Sequence, residues 1–444
     1  MMMQTFTRFH RLTMFAAMTS VVMGLAACDN EVDRILPGER LSVLQLQTAL
    51  TPSPQLSDVP VDLPEAWTNQ FWPQVGGYPN HAMGHLALGQ PLKKAWSSSI
   101  GSGGNRRRPL TAAPVMAEGM VFSVDTDGEV RAFDAKNGSR KWSASIVPKG
   151  EEDSGAVGGG LAYASGRLYA TSGYKYLTAL NPQTGAQLWK TKLPSPARSA
   201  PAVMNEQVYV VTLDNRLMVF SVSDGAPLWS YSGVSESTNL LGSAAPAVDE
   251  TLVVLPLSSG ELYGLRPENG RVVWEDNLSA VRRSGSMGAI ADIRGLPVID
   301  QGVVFALSYS GRMVALDQVT GRRLWQREVG SAETPWAAGR TIFIVTTEQQ
   351  VVALRRDSGE IHWVQQLPRF EDEKRENPVV WTGPVLAGGR LITAGSNGEL
   401  MEIDAQSGKI IRTTDLGDSI TIAPLVAGET LYTLTQDGDL TAWR

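Results

Sequence analysis

The feature that most constrains the fold is a phrase that recurs along most of the chain. In its clearest copy, Val314-Ala315-Leu316-Asp317-Gln318-Val319-Thr320-Gly321-Arg322-Arg323-Leu324-Trp325, an apolar run ends at an acid, a turn follows, and a tryptophan stands four residues after the glycine. Glycine tolerates the left-handed backbone such a turn needs. Tryptophan offers a wide apolar face with one polar edge, suited to packing between neighbouring sheets. The other copies place Gly138 before Trp142, Gly185 before Trp189, Gly225 before Trp229, Gly270 before Trp274, Gly359 before Trp363 and Gly408 before Arg412. The fixed offset marks one supersecondary unit copied along the chain, with arginine replacing the aromatic residue only in the last copy.

Upstream of each turn lies a second shared phrase: a proline or small residue, a short apolar run, a turn, then alternating β residues. Examples are Ala113-Pro114-Val115 before Val121-Phe122, Leu296-Pro297-Val298 before Val303-Val304-Phe305, and Gly383-Pro384-Val385 before Leu391-Ile392. The anchors at 142, 189, 229, 274, 325, 363 and 412 are 38 to 51 residues apart, which suits four short strands per unit. The pattern predicts an all-β fold, a β-propeller of four-stranded antiparallel blades. The last unit, ending Leu440-Thr441-Ala442-Trp443, lacks an outer strand, while Pro91-Leu92-Lys93-Lys94-Ala95-Trp96 is an outer strand without a blade. If the N-terminal strand completes the C-terminal blade, the ring closes with eight blades and leaves no open seam.

The chain is expected to divide into a signal segment (1–27), a mostly extended tether (28–66) with a short helix near Ser42 to Leu50, and the propeller (67–444). Trp67 through His85 is rich in aromatics and is expected to lie against the ring. Arg8, His10 and Arg11 precede an apolar run from Leu12 through Ala27 that ends Leu25-Ala26-Ala27-Cys28, the layout of a secretory signal. Cys28 is the single cysteine, so no intramolecular disulfide is available. The net charge of −6 speaks against a nucleic-acid partner, whose binding needs a basic surface.

Candidate chemistry is sparse. Asp125-Thr126-Asp127-Gly128-Glu129 opens like a calcium loop but lacks the distal bidentate acid, and it falls where Ser258-Ser259-Gly260-Glu261 and Ser396-Asn397-Gly398-Glu399 form hairpin turns in other units. His81 and His85 have a metal-ligand spacing only on a helix, and Gly84 lies between them. No nucleophile elbow or phosphate-binding loop is present. No catalytic, cofactor or metal residue is assigned. The segments joining each anchor to the next unit leave from one rim, and those after Trp229 and Trp274 are long and adjacent. The basic loop Asn105-Arg106-Arg107-Arg108 and the mixed-charge run Glu371 to Glu376 are further surface features.

These repeats resemble the pyrroloquinoline-quinone-like propellers, which include calcium-dependent quinoprotein dehydrogenases and non-enzymatic members. The adjacent cysteine pair of the alcohol dehydrogenases is missing here. Leu25-Ala26-Ala27-Cys28 resembles a bacterial lipobox, which implies acylation of Cys28 and anchoring by acyl chains. Asp29 resembles the inner-membrane retention signal of enteric lipoproteins, so the implied address is the periplasmic face of the outer membrane, with the inner membrane as the alternative.

A lipoprotein made of one such propeller, with Pro297-Val298-Ile299-Asp300-Gln301-Gly302-Val303-Val304-Phe305 in its fifth unit, is similar to the BamB family. That resemblance implies a non-enzymatic scaffold in the β-barrel assembly machinery (BAM complex), monomeric within it, that binds the POTRA region of BamA and aids folding of outer-membrane clients. It carries over two adjacent loops, Thr238-Asn239-Leu240-Leu241 and Asp292-Ile293-Arg294. Leu240 and Asp292 keep the family type; Leu241 replaces an arginine and Arg294 an aspartate. The bland reading makes Leu240 and Leu241 blade-edge cover and Asp292 with Arg294 a solvated pair worth under about 1 kcal/mol. A quinoprotein-like enzyme and an interaction propeller with another periplasmic partner are the alternatives.

Overall fold

The computed structural model describes residues 50–151, 158–197, 199–234, 244–279 and 292–444. Cys28, Asp29 and residues 42–49 of the expected helix lie outside them. Eight four-stranded antiparallel sheets form the blades, spanning 115–145, 159–192, 202–232, 247–277, 298–327, 336–366, 381–415 and 425–443. The eighth blade takes its outer strand from Lys94–Ser99, which pairs with Asp439–Trp443 in the register Trp96 to Ala442 and Ser98 to Leu440. The closure expected from Trp96 is therefore the observed one.

The repeated phrase has one structural meaning. Its glycines, with φ between 67° and 74°, end a tight turn between the third and fourth strands of blades 1 to 7. The Cα of each faces the indole of the preceding blade so closely that a Cβ would lie about 2.5–2.7 Å from it: Gly138 on Trp96, Gly185 on Trp142, Gly225 on Trp189, Gly270 on Trp229, Gly321 on Trp274, Gly359 on Trp325 and Gly408 on Trp363. The same indole donates its N–H to the carbonyl three residues before that glycine, at 2.7–3.2 Å: Ala135, Pro182, Val222, Pro267, Gln318, Arg356 and Ala405 in turn. Each tryptophan thus docks flat on a bare backbone and satisfies its one polar edge there. Seven of the eight blade interfaces carry this key.

Blade 7 presents Arg412 instead. Across the strand from it stands Glu402, where the other blades pair a small or aliphatic residue such as Ala132 or Ala315 with tryptophan. Glu402 is buried and held by the buried Arg390, Nε to Oε2 2.5 Å.

The segment before the ring is part of the fold. Residues 50–66, expected as tether, lie on blade 6 and its neighbours: Ser53 N–H donates to Ile361 O (2.8 Å), Thr341 Oγ1 to Asp62 O (3.3 Å), and Leu56 and Val61 are buried. The short run Pro54–Leu56 is a 3-10 turn. Residues 67–89 then run around the inside of the ring, as the aromatic content of Trp67 through His85 suggested. The innermost strand of a blade has a neighbour on one side only, so its other backbone edge faces the axis and needs partners. Asn69 bonds Val426 and Gly428 in blade 8, Trp72 bonds Met116 in blade 1, and Pro73 O accepts from Tyr163 N in blade 2. Gln74 bonds both N and O of Val203, and Pro79 and Asn80 accept from Val248 N and Ile299 N. Gly84 O accepts from the Trp336 indole and Leu86 bonds Leu386 and Gly388, so this hoop reaches all eight blades.

The key predicts a sharp cost. Gly225→Val should lose about 1–3 kcal/mol to the clash with Trp189, plus about 1–2 kcal/mol for the left-handed backbone. Urea unfolding of the variant beside the exposed control Gly166→Val, which meets no neighbour, separates the two contributions.

Candidate functional site

All eight outer-to-inner connections emerge on one rim, together with the turns between second and third strands. Their lengths break the symmetry of the ring: 193–201 and 328–335 are short, while 278–297 is the longest. The loops 233–246 and 278–297 follow blades 3 and 4, and residues 235–243 and 280–291 within them lie outside the described residues. Thr238, Asn239, Leu240 and Leu241 lie outside the described residues.

Asp292 and Arg294 are described, and they separate. Asp292 is 1% exposed and its carbonyl accepts from Tyr309 N–H at 3.0 Å, so it is built into the base of the loop. Ile293 beside it is fully buried. Arg294 is half-buried and lines a pocket of about 230 Å³ with Tyr309, Glu333, Gln349, Val380 and Trp381. A solvated Asp292–Arg294 pair is therefore not what the loop forms. The pocket walls come from blades 5 to 7, and Val380 at its edge is 49% exposed. Glu333 is committed to blade 7, accepting from Thr382 Oγ1 (2.7 Å) and Gly383 N (3.2 Å). Loop length does not point to this pocket, because one of its walls is the short connection 328–335.

The remaining sequence candidates resolve into structure. Asp125 is buried in a hairpin turn, where its carboxylate accepts from Asp127 N, Glu129 N, Ser102 N and Arg131. Arg108 pairs with Asp127 at 3.2 Å, while Arg106 and Arg107 are exposed. His81 and His85 are hoop residues, not a helical pair; His81 has φ of 61°. His85 donates through Nδ1 to Pro64 O (2.7 Å) and accepts at Nε2 from Gly389 N (2.8 Å). His81 Nδ1 donates to Pro297 O at 2.7 Å.

A quinone with calcium, the group implied by the propeller superfamily, does not fit these residues. The inner strand edges that would surround it are bonded to the hoop, and Val75 of the hoop packs against Ala244, Ala245 and Leu296. Among the described residues no three carboxylate, imidazole or thiol groups converge.

Comparison with known proteins decides the family. The model for the family described as outer membrane protein assembly factor BamB matches residues 93–154, 144–365 and 370–443. The chain belongs to this family. It is 30% identical to the Escherichia coli K12 outer membrane protein assembly factor BamB over 351 residues, 78% of this chain and 86% of that one. Among solved structures, BamB from Moraxella catarrhalis superposes with a TM-score of 0.69 at 22% identity, covering 80% of this chain and all of that one. The quinohemoprotein alcohol dehydrogenase of Comamonas testosteroni superposes at 0.63 with 13% identity, over 85% of this chain and 81% of that one, a likeness of fold alone. The family match starts at residue 93, so the hoop precedes the part that the family model covers.

Burial pushes the His81 imidazole down to about 4, against its hydrogen bond to Pro297. The folded chain therefore keeps His81 neutral over a range in which the unfolded chain protonates it. Stability from this residue is complete above about pH 6.5 and falls by roughly 3 kcal/mol as pH drops toward 4. His81→Gln, which keeps a donor and does not titrate, should flatten the loss of unfolding free energy between pH 7 and 4.5; urea titrations across that range measure it.

Proposed function

We propose that this chain is a non-enzymatic, lipid-anchored scaffold of the β-barrel assembly machinery, facing the periplasm from the outer membrane and aiding folding and insertion of outer-membrane β-barrel proteins. The observation that carries this reading is the family match across the propeller, from residue 93 to 443. The fold suits such a role, since a rigid ring presents one rim of unequal loops and uses its axis to hold its own N-terminal segment. Anchoring runs through Cys28, whose lipobox context fits acylation, with Asp29 as the residue that would favour the inner membrane.

The partner on this reading is the POTRA region of BamA, met by the loop containing Thr238, Asn239, Leu240 and Leu241 and by Arg294 at the edge of its pocket. Asp292 supports that contact from beneath, by fixing the loop that presents Arg294. Because Arg294 is a cation where the family pattern has an acid, the facing surface on BamA is expected to carry a carboxylate. The pocket beside Arg294 offers apolar and aromatic walls, the setting in which an interface concentrates its binding energy.

The test is co-purification of BamA with the full-length lipoprotein in mild detergent, followed by affinity measurements on the soluble domains. Leu240→Asp and Arg294→Glu should each weaken BamA binding about tenfold or more, the size of a lost charged or apolar anchor. Unchanged affinity in both, with BamA still recovered, would move the contact to another part of the rim. Absence of BamA from the acylated protein would overturn the scaffold reading itself.

A further inference from the structure

The interface between blades 7 and 8 lacks the tryptophan–glycine key. Arg412 stands at the aromatic position with its side chain 47% exposed. Blade 8 has no turn glycine to receive an indole, because its third and fourth strands, Asp439–Trp443 and Lys94–Ser99, come from opposite ends of the propeller sequence. This interface therefore lacks the hydrogen-bonded indole seat found at the other seven, and it adjoins a blade made of two separate stretches.

The hoop begins and ends at that place. Its start holds blade 8: Asn69, fully buried, donates from Nδ2 to Val426 O at 2.6 Å, and its carbonyl accepts from Gly428 N at 2.7 Å. Its end holds blade 7: Leu86 N donates to Leu386 O, Leu86 O accepts from Gly388 N, His85 Nε2 accepts from Gly389 N, and Gly89 O accepts from Arg390. The two ends then hold one another. Trp67 N donates to His85 O at 3.0 Å and Trp67 O accepts from Ala87 N at 2.8 Å, a parallel pairing that closes the hoop on itself. A continuous hydrogen-bonded path therefore runs from blade 8 through Asn69, Trp67 and Leu86 to blade 7.

We infer that residues 67–89 are a clasp that holds blades 7 and 8 together in place of the missing key. The other blades need the hoop only to cover their inner edges, since tryptophans already join them. At blades 7 and 8, which share a buried apolar cluster that includes Leu386, Ile392, Val426 and Leu431, it also adds the directional hydrogen-bonded link that the key supplies elsewhere. The buried pair of Arg390 and Glu402 belongs to the same device, because Arg390 reaches both Glu402 and the hoop at Gly89.

Two buried amides of the hoop allow a matched experiment. Asn69 and Gln74 each bond an inner-strand residue through the side chain, Asn69 at the unkeyed interface and Gln74 at blade 3, which is keyed on both sides. Hydrogen exchange of the whole chain, read by mass spectrometry, would compare Asn69→Leu with Gln74→Leu. The clasp requires that Asn69→Leu speed exchange in Trp381–Ala387 and in Leu425–Ala427 by about tenfold or more, as a cooperative local opening does, while blades 2 to 4 stay protected. Gln74→Leu should be felt only around Ala202–Met204. Equal, strictly local effects of both variants, or an Asn69→Leu effect spread evenly over all blades, would overturn the inference. If Asn69→Leu does not fold, Asn69→Ser, which keeps a polar group beside Val426 O, is read against the same two outcomes.

Discussion

Everything in this ring depends on an indole lying flat on a glycine. The contact works because both partners are unusual: the glycine has no Cβ to hold the ring away, and the tryptophan has a single donor that finds a carbonyl at a fixed distance along the same turn. The stacking surface supplies the apolar burial and the hydrogen bond, worth about 0.5–1.5 kcal/mol net, fixes the direction. Neither alone would set the angle between one blade and the next. Repeated at seven interfaces, the contact carries the same seating from blade to blade, while the even number of antiparallel strands in each blade places the outer-to-inner loops on one rim.

That contact is also why so much of the fold could be read in advance. A four-residue offset from glycine to tryptophan is a local signal, and the β-hairpins around it are local as well, so blade number, strand order and the closing strand at Trp96 follow from counting. The hoop is different. Asn69, Gln74 and Asn80 bond strands that lie hundreds of residues away in some cases, such as Val426, and nothing in a Pro-rich stretch with no repeat announces its partners. Aromatic content hinted that Trp67 through His85 would pack on the ring, but the same composition gave no reason to include 50–66, whose contacts come from single apolar residues such as Leu56 and Val61.

At the site the legible part was the rim and which of its connections are long. What the sequence does not encode locally is burial at a loop base. Asp292 and Arg294 are two residues apart, yet one is enclosed and the other reaches a pocket, because Asp292 is covered by the turn at Tyr309 while Arg294 points past it toward blade 6. A similar non-local cause lies behind Arg412. Read alone it is a lost tryptophan; in the ring it stands at the one interface whose receiving blade has no glycine turn, and an indole there would have no seat.

Recognition by such a molecule is constrained by how alike its blades are. Inner strand edges are occupied by the hoop, which removes them as sites for an incoming strand. Outer strands are not covered by the hoop, and apart from blade 6, where Ser53 bonds Ile361, they repeat one pattern, a tryptophan flanked by exposed residues such as Lys141, Leu188, Leu228 and Leu324, so a partner docking there would meet nearly the same surface on several blades. Binding of that kind is tolerant by nature. A partner that must seat in one orientation has to read what differs between blades, and the differences are concentrated in the rim connections, long at 278–297 and short at 328–335, with the Arg294 pocket where the two meet.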